Sequence, residues 1–93
     1  MPDIDIAEKL EDLFRKTGRE HHAAFIKTNG DDSEWPLWYA DYLLERLGKL
    51  LNAKFTKSEL VYLLVMAEKE RALMAPGADW YRYYSNFFIE RYT

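Results

Sequence analysis

Apolar residues recur every three or four positions along the first quarter of the chain, which is the pattern of one face of an α-helix. The stripe consists of Ile6, Leu10, Leu13, Phe14, Thr17, His21, Ala24 and Phe25. It keeps its phase through Gly18, so one helix of about residues 5–28 is predicted, continuous or broken at that glycine. Asn29 and Gly30 follow, and both tolerate the left-handed backbone that ends a helix.

A second amphipathic segment begins after an acidic loop. Asp31, Asp32 and Ser33 are residue types that cap helix N-termini, and Pro36 suits a first helical turn, where a missing N–H does no harm. The apolar stripe of this helix consists of Ala40, Leu43, Leu44, Leu47, Leu50 and Leu51. Residues 52–54 form the predicted loop.

The third helix is predicted from its ends, because its LVYLLVMA segment is apolar on all sides and periodicity alone also allows a strand. Thr56 and Glu59 have the spacing of a capping box. That signal, and the EKERALM segment after the apolar run, favour a helix over about residues 57–74. The Ala-Pro-Gly segment at 75–77 ends it.

The last helix, about residues 80–91 with Asp79 as its cap, is similar in sequence to the second helix. Aligning EWPLWYADYLLERL with DWYRYYSNFFIERY gives four identical pairs: Trp35/Trp80, Tyr39/Tyr84, Glu45/Glu90 and Arg46/Arg91. The alignment favours a duplicated hairpin, with hairpin 1 at about 5–52 and hairpin 2 at about 56–92, although two aromatic helices also align through composition alone. Either way, the sequence predicts an all-α, four-helix (αα)₂ bundle in a single domain, 1–93.

The second and fourth helices each carry an aromatic face opposite the stripe that packs on their hairpin partner. These faces consist of Trp35, Trp38 and Tyr42 in one helix, and of Trp80, Tyr83 and Phe87 in the other. A surface helix needs only one apolar face, so the two sets are expected to meet inside the chain or to contact another molecule.

Composition narrows the classes of function. The chain has no cysteine, which excludes disulfides and thiolate–metal sites. Aromatic residues make up 16% of the chain and provide large side chains for a core. A net charge of −3 with mixed signs argues against nucleic-acid binding. The N-terminus is acidic and amphipathic, and no apolar run is long enough to span a bilayer, so a cytoplasmic protein without a membrane partner is expected.

The segments REHHAAF and DDSEWPLWYADYLLERL together resemble a group of small uncharacterised bacterial helical proteins with a His-His-x-Ala-Phe … Trp-Pro-x-Trp-Tyr-Ala pattern. The resemblance covers about the first half of the chain. It implies a bacterial origin, and it transfers no catalytic residue, because no activity is established for that group.

The two histidines and two neighbouring carboxylates are the candidates for chemistry. His21 and His22 point about 100° apart on a helix, so they cannot chelate one ion together, and no Glu-x-x-His pair is present. His21 lies in the apolar stripe, which predicts that it is buried and His22 exposed. Asp41 and Glu45 are one helical turn apart. Two carboxylates at this spacing can share a proton or hold a divalent cation. The alternative is that nearby basic residues neutralise their charges on a solvated face.

No phosphate loop, serine elbow or cysteine nucleophile is present, and no metal or cofactor is expected. The aromatic faces favour a non-enzymatic protein-interaction module that associates with itself as a homodimer. The alternative is a small ligand-binding protein or enzyme with a crevice between helices one and two, containing a histidine and Asp41. A concave polar pocket that holds a histidine and a carboxylate distinguishes the second hypothesis from the first.

Overall fold

The apolar stripes assemble into four helices packed around one core. A computed structural model describes residues 2–92, with side chains from Ile6 onward, so the two ends of the predicted 1–93 domain lie outside the described residues. The helices are α1 (Pro2–Ala24), α2 (Trp35–Leu51), α3 (Lys57–Met74) and α4 (Trp80–Tyr92). Each packs on its neighbours in the chain, and α4 closes the ring against α1. The predicted all-α four-helix bundle is confirmed.

In α1 and α2 the core is formed by the predicted stripes, except that Ala24 is exposed. Phe87, predicted on the second aromatic face of the last helix, is buried in the core. In α1, Leu10, Phe14, Thr17 and His21 are buried, as the helical phase requires. The buried apolar side chains of the other three helices are Ala40, Leu43, Leu47, Leu51, Leu60, Leu64, Ala67, Tyr84, Phe87 and Phe88. Phe14 lies at the centre, with its ring within 5.8 Å of both Tyr84 and Phe88.

Helix ends follow local sequence signals in most places. The capping box is present at α3, where Thr56 accepts from the Glu59 N–H and Glu59 accepts from the Thr56 N–H. Asn29 and Asn52 adopt left-handed backbone, with φ of 57° and 52°. Gly30 follows with φ of 84°, so the backbone turns at the two residues predicted to stop the first helix.

Two boundaries differ from the prediction. The α-helical part of α1 ends at Ala24, and Ile26–Thr28 form a turn of 3₁₀ helix instead of continuing to residue 28. The N-cap of α2 is Glu34, and no side chain caps it. Asp32 instead accepts the backbone N–H of Glu34 and uses its other oxygen for a tertiary contact.

Helix α1 passes through Gly18 without interruption. The glycine leaves space for an aromatic ring of another helix. A Cβ atom at this position would lie 2.9 Å from Cζ2 of Trp80 and 3.7 Å from the Tyr39 hydroxyl. The close approach of α1 to α2 and α4 therefore depends on this missing side chain.

The aromatic faces of α2 and α4 do not meet directly. These helices lie diagonally in the bundle, since each packs against α1 and α3. Within residues 6–92, no ring contact joins the set Trp35/Trp38/Tyr42 to the set Trp80/Tyr83/Phe87. Tyr39 connects them, with its ring 5.2 Å from Trp35 and 6.1 Å from Trp80. Of the two predicted alternatives, direct contact of the two sets inside the chain is therefore not observed among these residues, and Tyr39 bridges them instead.

Arginines at matching positions of the aligned segments make matching contacts. Arg46 lies over the Tyr42 ring at 4.1 Å, and Arg91 lies over the Phe87 ring at 3.6 Å. Each guanidinium also donates to the backbone carbonyl of the same aromatic residue.

No helix within residues 2–92 combines the length and apolarity needed to cross a bilayer.

Candidate functional site: a crevice at one end of the bundle

A crevice of about 580 Å³ opens at the bundle end where α1 leads into α2 and α3 leads into α4; we call it the end crevice. Its aromatic lining consists of Trp35, Tyr39, Trp80 and Tyr84. Its polar lining consists of His21, Asp31, Asp32, Glu68, Arg71 and Asp79, and Gly30 and Ala78 complete it. All four helices and two loops therefore contribute to one concave surface.

Four aromatic rings form a continuous wall of this crevice. Trp35 and Tyr39 meet edge to face at 5.2 Å, and Trp80 and Tyr84 repeat that geometry at 5.2 Å. The Tyr39 and Trp80 rings join the two pairs at 6.1 Å. The wall consists of the tryptophan and the tyrosine that are identical in the two aligned segments. Within each segment, these two residues are one helical turn apart. This identity is the sequence signal that marks the crevice.

His21 is held by a carboxylate from the loop that follows α1. Its Nε2 atom lies 3.0 Å from Oδ2 of Asp32, and the two side chains are only 8% and 12% exposed. The other oxygen of Asp32 accepts the Glu34 N–H at 3.0 Å. The imidazole also packs against Trp38 and Tyr39, with ring centroids 5.1 and 5.3 Å away. The ring is therefore fixed in place on one side of the crevice.

Glu68 organises the opposite side of the crevice. Both of its oxygens accept from Arg71, at 3.0 and 2.7 Å, and Oε1 also accepts from the Tyr84 hydroxyl at 2.8 Å. The hydrogen bonds from Arg71 hold the pKa of Glu68 below its usual value. Arg71 donates as well to the carbonyl of Pro76, which ties α3 to the loop before α4.

The two wall tyrosines stay protonated well above neutral pH. Burial raises the pKa of Tyr39 to about 12, with a smaller contribution from the Glu68 charge. Burial also raises the pKa of Tyr84, and its hydrogen bond to Glu68 adds to the effect. Both phenols therefore face the crevice as neutral hydroxyls.

The sequence-predicted site residues are divided between this crevice and the rest of the surface. His21 lines the crevice, whereas His22 is exposed, as the helical phase predicts. Asp41 is exposed and pairs with Lys57 at 2.8 Å, and Glu45 is exposed on the same helix. Neither carboxylate lies in the crevice, and Asp32 takes the place beside histidine that the sequence analysis gave to Asp41.

The remaining aromatic candidates are packed within the chain. Trp38 stacks on Tyr42 at 5.4 Å, and both side chains are half-buried. Phe87 is buried, and the half-buried Tyr83 donates its hydroxyl to Glu70 at 3.2 Å. Across the described part of the chain, no cluster of three histidine or carboxylate side chains is placed to hold a metal ion.

A comparison with models of known protein families finds no match, and neither curated proteins nor solved structures give a significant match.

Proposed function

We propose that this chain is a small-ligand-binding protein and that the end crevice is its binding site. The observation that carries the proposal is the convergence of an aromatic wall and ordered polar groups from all four helices on one concavity. Ligand sites are typically concave, about 300–1,000 Å³ in volume, and lined by aromatic side chains with a few fixed polar groups. The crevice has this volume and an aromatic wall, and its lining is richer in polar side chains than that of a typical ligand site.

Support also comes from the way the polar groups are fixed. His21 is oriented by Asp32, and Tyr84 is oriented by Glu68, which is itself held by Arg71. Side chains ordered before a ligand arrives lose little rotamer entropy on binding, so such a site binds more tightly than a mobile one. The histidine and carboxylate in a concave polar pocket are the features that favour a ligand site over an interaction module.

A fragment screen tests the proposal with a matched pair of variants. Saturation-transfer NMR with a mixture of small amines, alcohols and carboxylic acids should detect a ligand with a Kd near or below about 1 mM. Trp35→Leu removes part of the wall, whereas Phe55→Leu changes a half-buried aromatic residue that does not line the crevice. Binding should be lost in the first variant and kept in the second. A screen without hits, or equal loss in both variants, contradicts the proposal.

We propose, as a second candidate function, an interaction module that self-associates. Its support comes from residues other than those that first suggested it. The six aromatic side chains that suggested it are buried or half-buried within the chain. Leu73 and Met74 at the end of α3 are instead 82% and 78% exposed. Sedimentation velocity at micromolar concentrations should show a dimer that Leu73→Lys dissociates. A monomer at every concentration contradicts this second proposal.

We also propose that the bundle arose by duplication of a helical hairpin. The matching Trp–Tyr contacts of α2 and α4, and the matching arginine contacts of Arg46 and Arg91, support it. We further propose a bacterial origin and a cytoplasmic location, both of which rest on the sequence alone.

A further inference from the structure

The geometry of the aromatic wall indicates the kind of group that fits against it. Its three successive ring contacts have interplanar angles of 81°, 64° and 74°, so neighbouring rings present surfaces in different directions. Trp35, Tyr39 and Trp80 are only half-buried, which leaves part of each ring accessible. The accessible part of each ring face carries negative electrostatic potential, which attracts a cationic group.

The charges around the wall have the sign that complements a cation. Four carboxylates line the crevice against a single guanidinium. That guanidinium, Arg71, is bound to both oxygens of Glu68 and is not free to receive an anion. Asp31, in contrast, has no ion pair or side-chain hydrogen bond among the described residues. Asp79 also lines the crevice and is 53% exposed, but it pairs with Arg82 at 3.9 Å and accepts from the Tyr81 hydroxyl. The surplus negative charge is therefore at the mouth of the crevice.

We infer that the ligand of the end crevice is a small organic cation, such as a quaternary ammonium or a protonated alkylamine. The inference rests on the proposed function. The cationic head lies against Trp35, Tyr39 and Trp80, and the unpaired carboxylate of Asp31 neutralises its charge. The hydroxyl of Tyr39 accepts a hydrogen bond from an alkylammonium N–H.

Three probes of one shape and different charge test the inference. Choline, 3,3-dimethylbutan-1-ol and 3,3-dimethylbutanoate share a branched head and carry a positive, zero and negative charge. Isothermal titration of the full chain should show choline binding about tenfold or more tighter than the neutral alcohol, and no detectable binding of the carboxylate. Choline affinity should also fall as salt is added, because Asp31 is exposed to solvent.

Matched variants identify the groups responsible. Trp35→Leu should weaken choline binding about threefold to thirtyfold, whereas Phe55→Leu, at a half-buried aromatic residue outside the crevice, leaves it unchanged. Asp31→Asn should weaken it severalfold, and Asp41→Asn, which removes an exposed carboxylate of α2 outside the crevice, serves as its control. Circular dichroism establishes that each variant folds.

The outcomes separate this inference from the proposed function. If the neutral or anionic probe binds as tightly as choline, the site stands and the cationic class is wrong. If no probe binds, the inference is also overturned, and the fragment screen decides independently whether the crevice binds ligands of another class.

Discussion

Gly18 shows how a residue without a side chain positions a ring of the crevice. A Cβ atom there would lie 2.9 Å from Trp80, and that ring is also packed against Phe14, Tyr39 and Tyr84. Because the ring is held on several sides, it cannot move away at little cost. The glycine disfavours the helix locally, and close packing of α1 on α4 offsets that effect.

Gly18→Ala is therefore expected to destabilise the protein, although alanine is the better helix former. The propensity gain of about 1 kcal/mol is outweighed by overpacking of about 1–3 kcal/mol. A thermal melt should show a Tm lower by several degrees. In a Trp80→Phe background, where the clashing ring is smaller, the same substitution should be neutral or stabilising. A higher Tm for the single variant contradicts the account.

Tyr39 and Tyr84 give the fold a dependence on alkaline pH. Their pKa values are raised in the folded chain above the value of about 10 of an exposed tyrosine, to about 12 for Tyr39. Their contribution to stability is complete below pH 10 and is lost as the pH rises through the folded pKa values. Tyrosinate absorbance should show a late phase that coincides with loss of the helical signal, and Tyr84→Phe should reduce its amplitude. Ionisation of every tyrosine before any loss of helix contradicts the pKa directions.

At the scale of elements, the start of α3 is determined by its own sequence. The capping box between Thr56 and Glu59 satisfies two backbone N–H groups within four residues. The capping box fixes where the helix starts. The periodicity of the apolar run that follows does not by itself distinguish a helix from a strand.

Thr56→Ala should lower the free energy of unfolding by about 1 kcal/mol, because the Glu59 N–H then loses its side-chain acceptor. Ser58→Ala is the control, since Ser58 is exposed in the same helical turn and lies outside the capping box. Urea unfolding of the two variants measures the difference. Equal midpoints for both variants and the unsubstituted chain contradict the role assigned to the cap.

Local signals predicted the elements where the deciding contacts are local. Asn29, Asn52 and Thr56 act through neighbours in sequence. The boundaries at Asn52 and Thr56 are confirmed, whereas Asn29 ends a 3₁₀ turn that follows the end of α1 at Ala24. The loop before α2 was predicted less well, because Asp32 binds His21, eleven residues away. Capping preference cannot reveal such a tertiary contact.

At the scale of the whole molecule, the order of four helices follows from the apolar stripes, whereas the site follows from their assembly. Sequence analysis identified His21, Trp35 and Trp80 but assigned the tryptophans to an interaction surface. It did not identify Glu68 and Arg71, because their significance arises from Tyr84 on another helix. Asp41 was associated with the histidines although its position on α2 directs it to Lys57.

The central claim is that the end crevice binds a small organic cation, and the three tryptophans provide its most direct test. Trp35 and Trp80 line the crevice, whereas Trp38 does not. In a ¹H–¹⁵N NMR titration with choline, we predict saturable shifts of the Trp35 and Trp80 indole N–H signals. These shifts should exceed that of Trp38, whose ring contacts the crevice only through His21 and Tyr39, with the signals assigned by single substitutions. Unmoved Trp35 and Trp80 signals, or equal shifts of all three, would contradict the account.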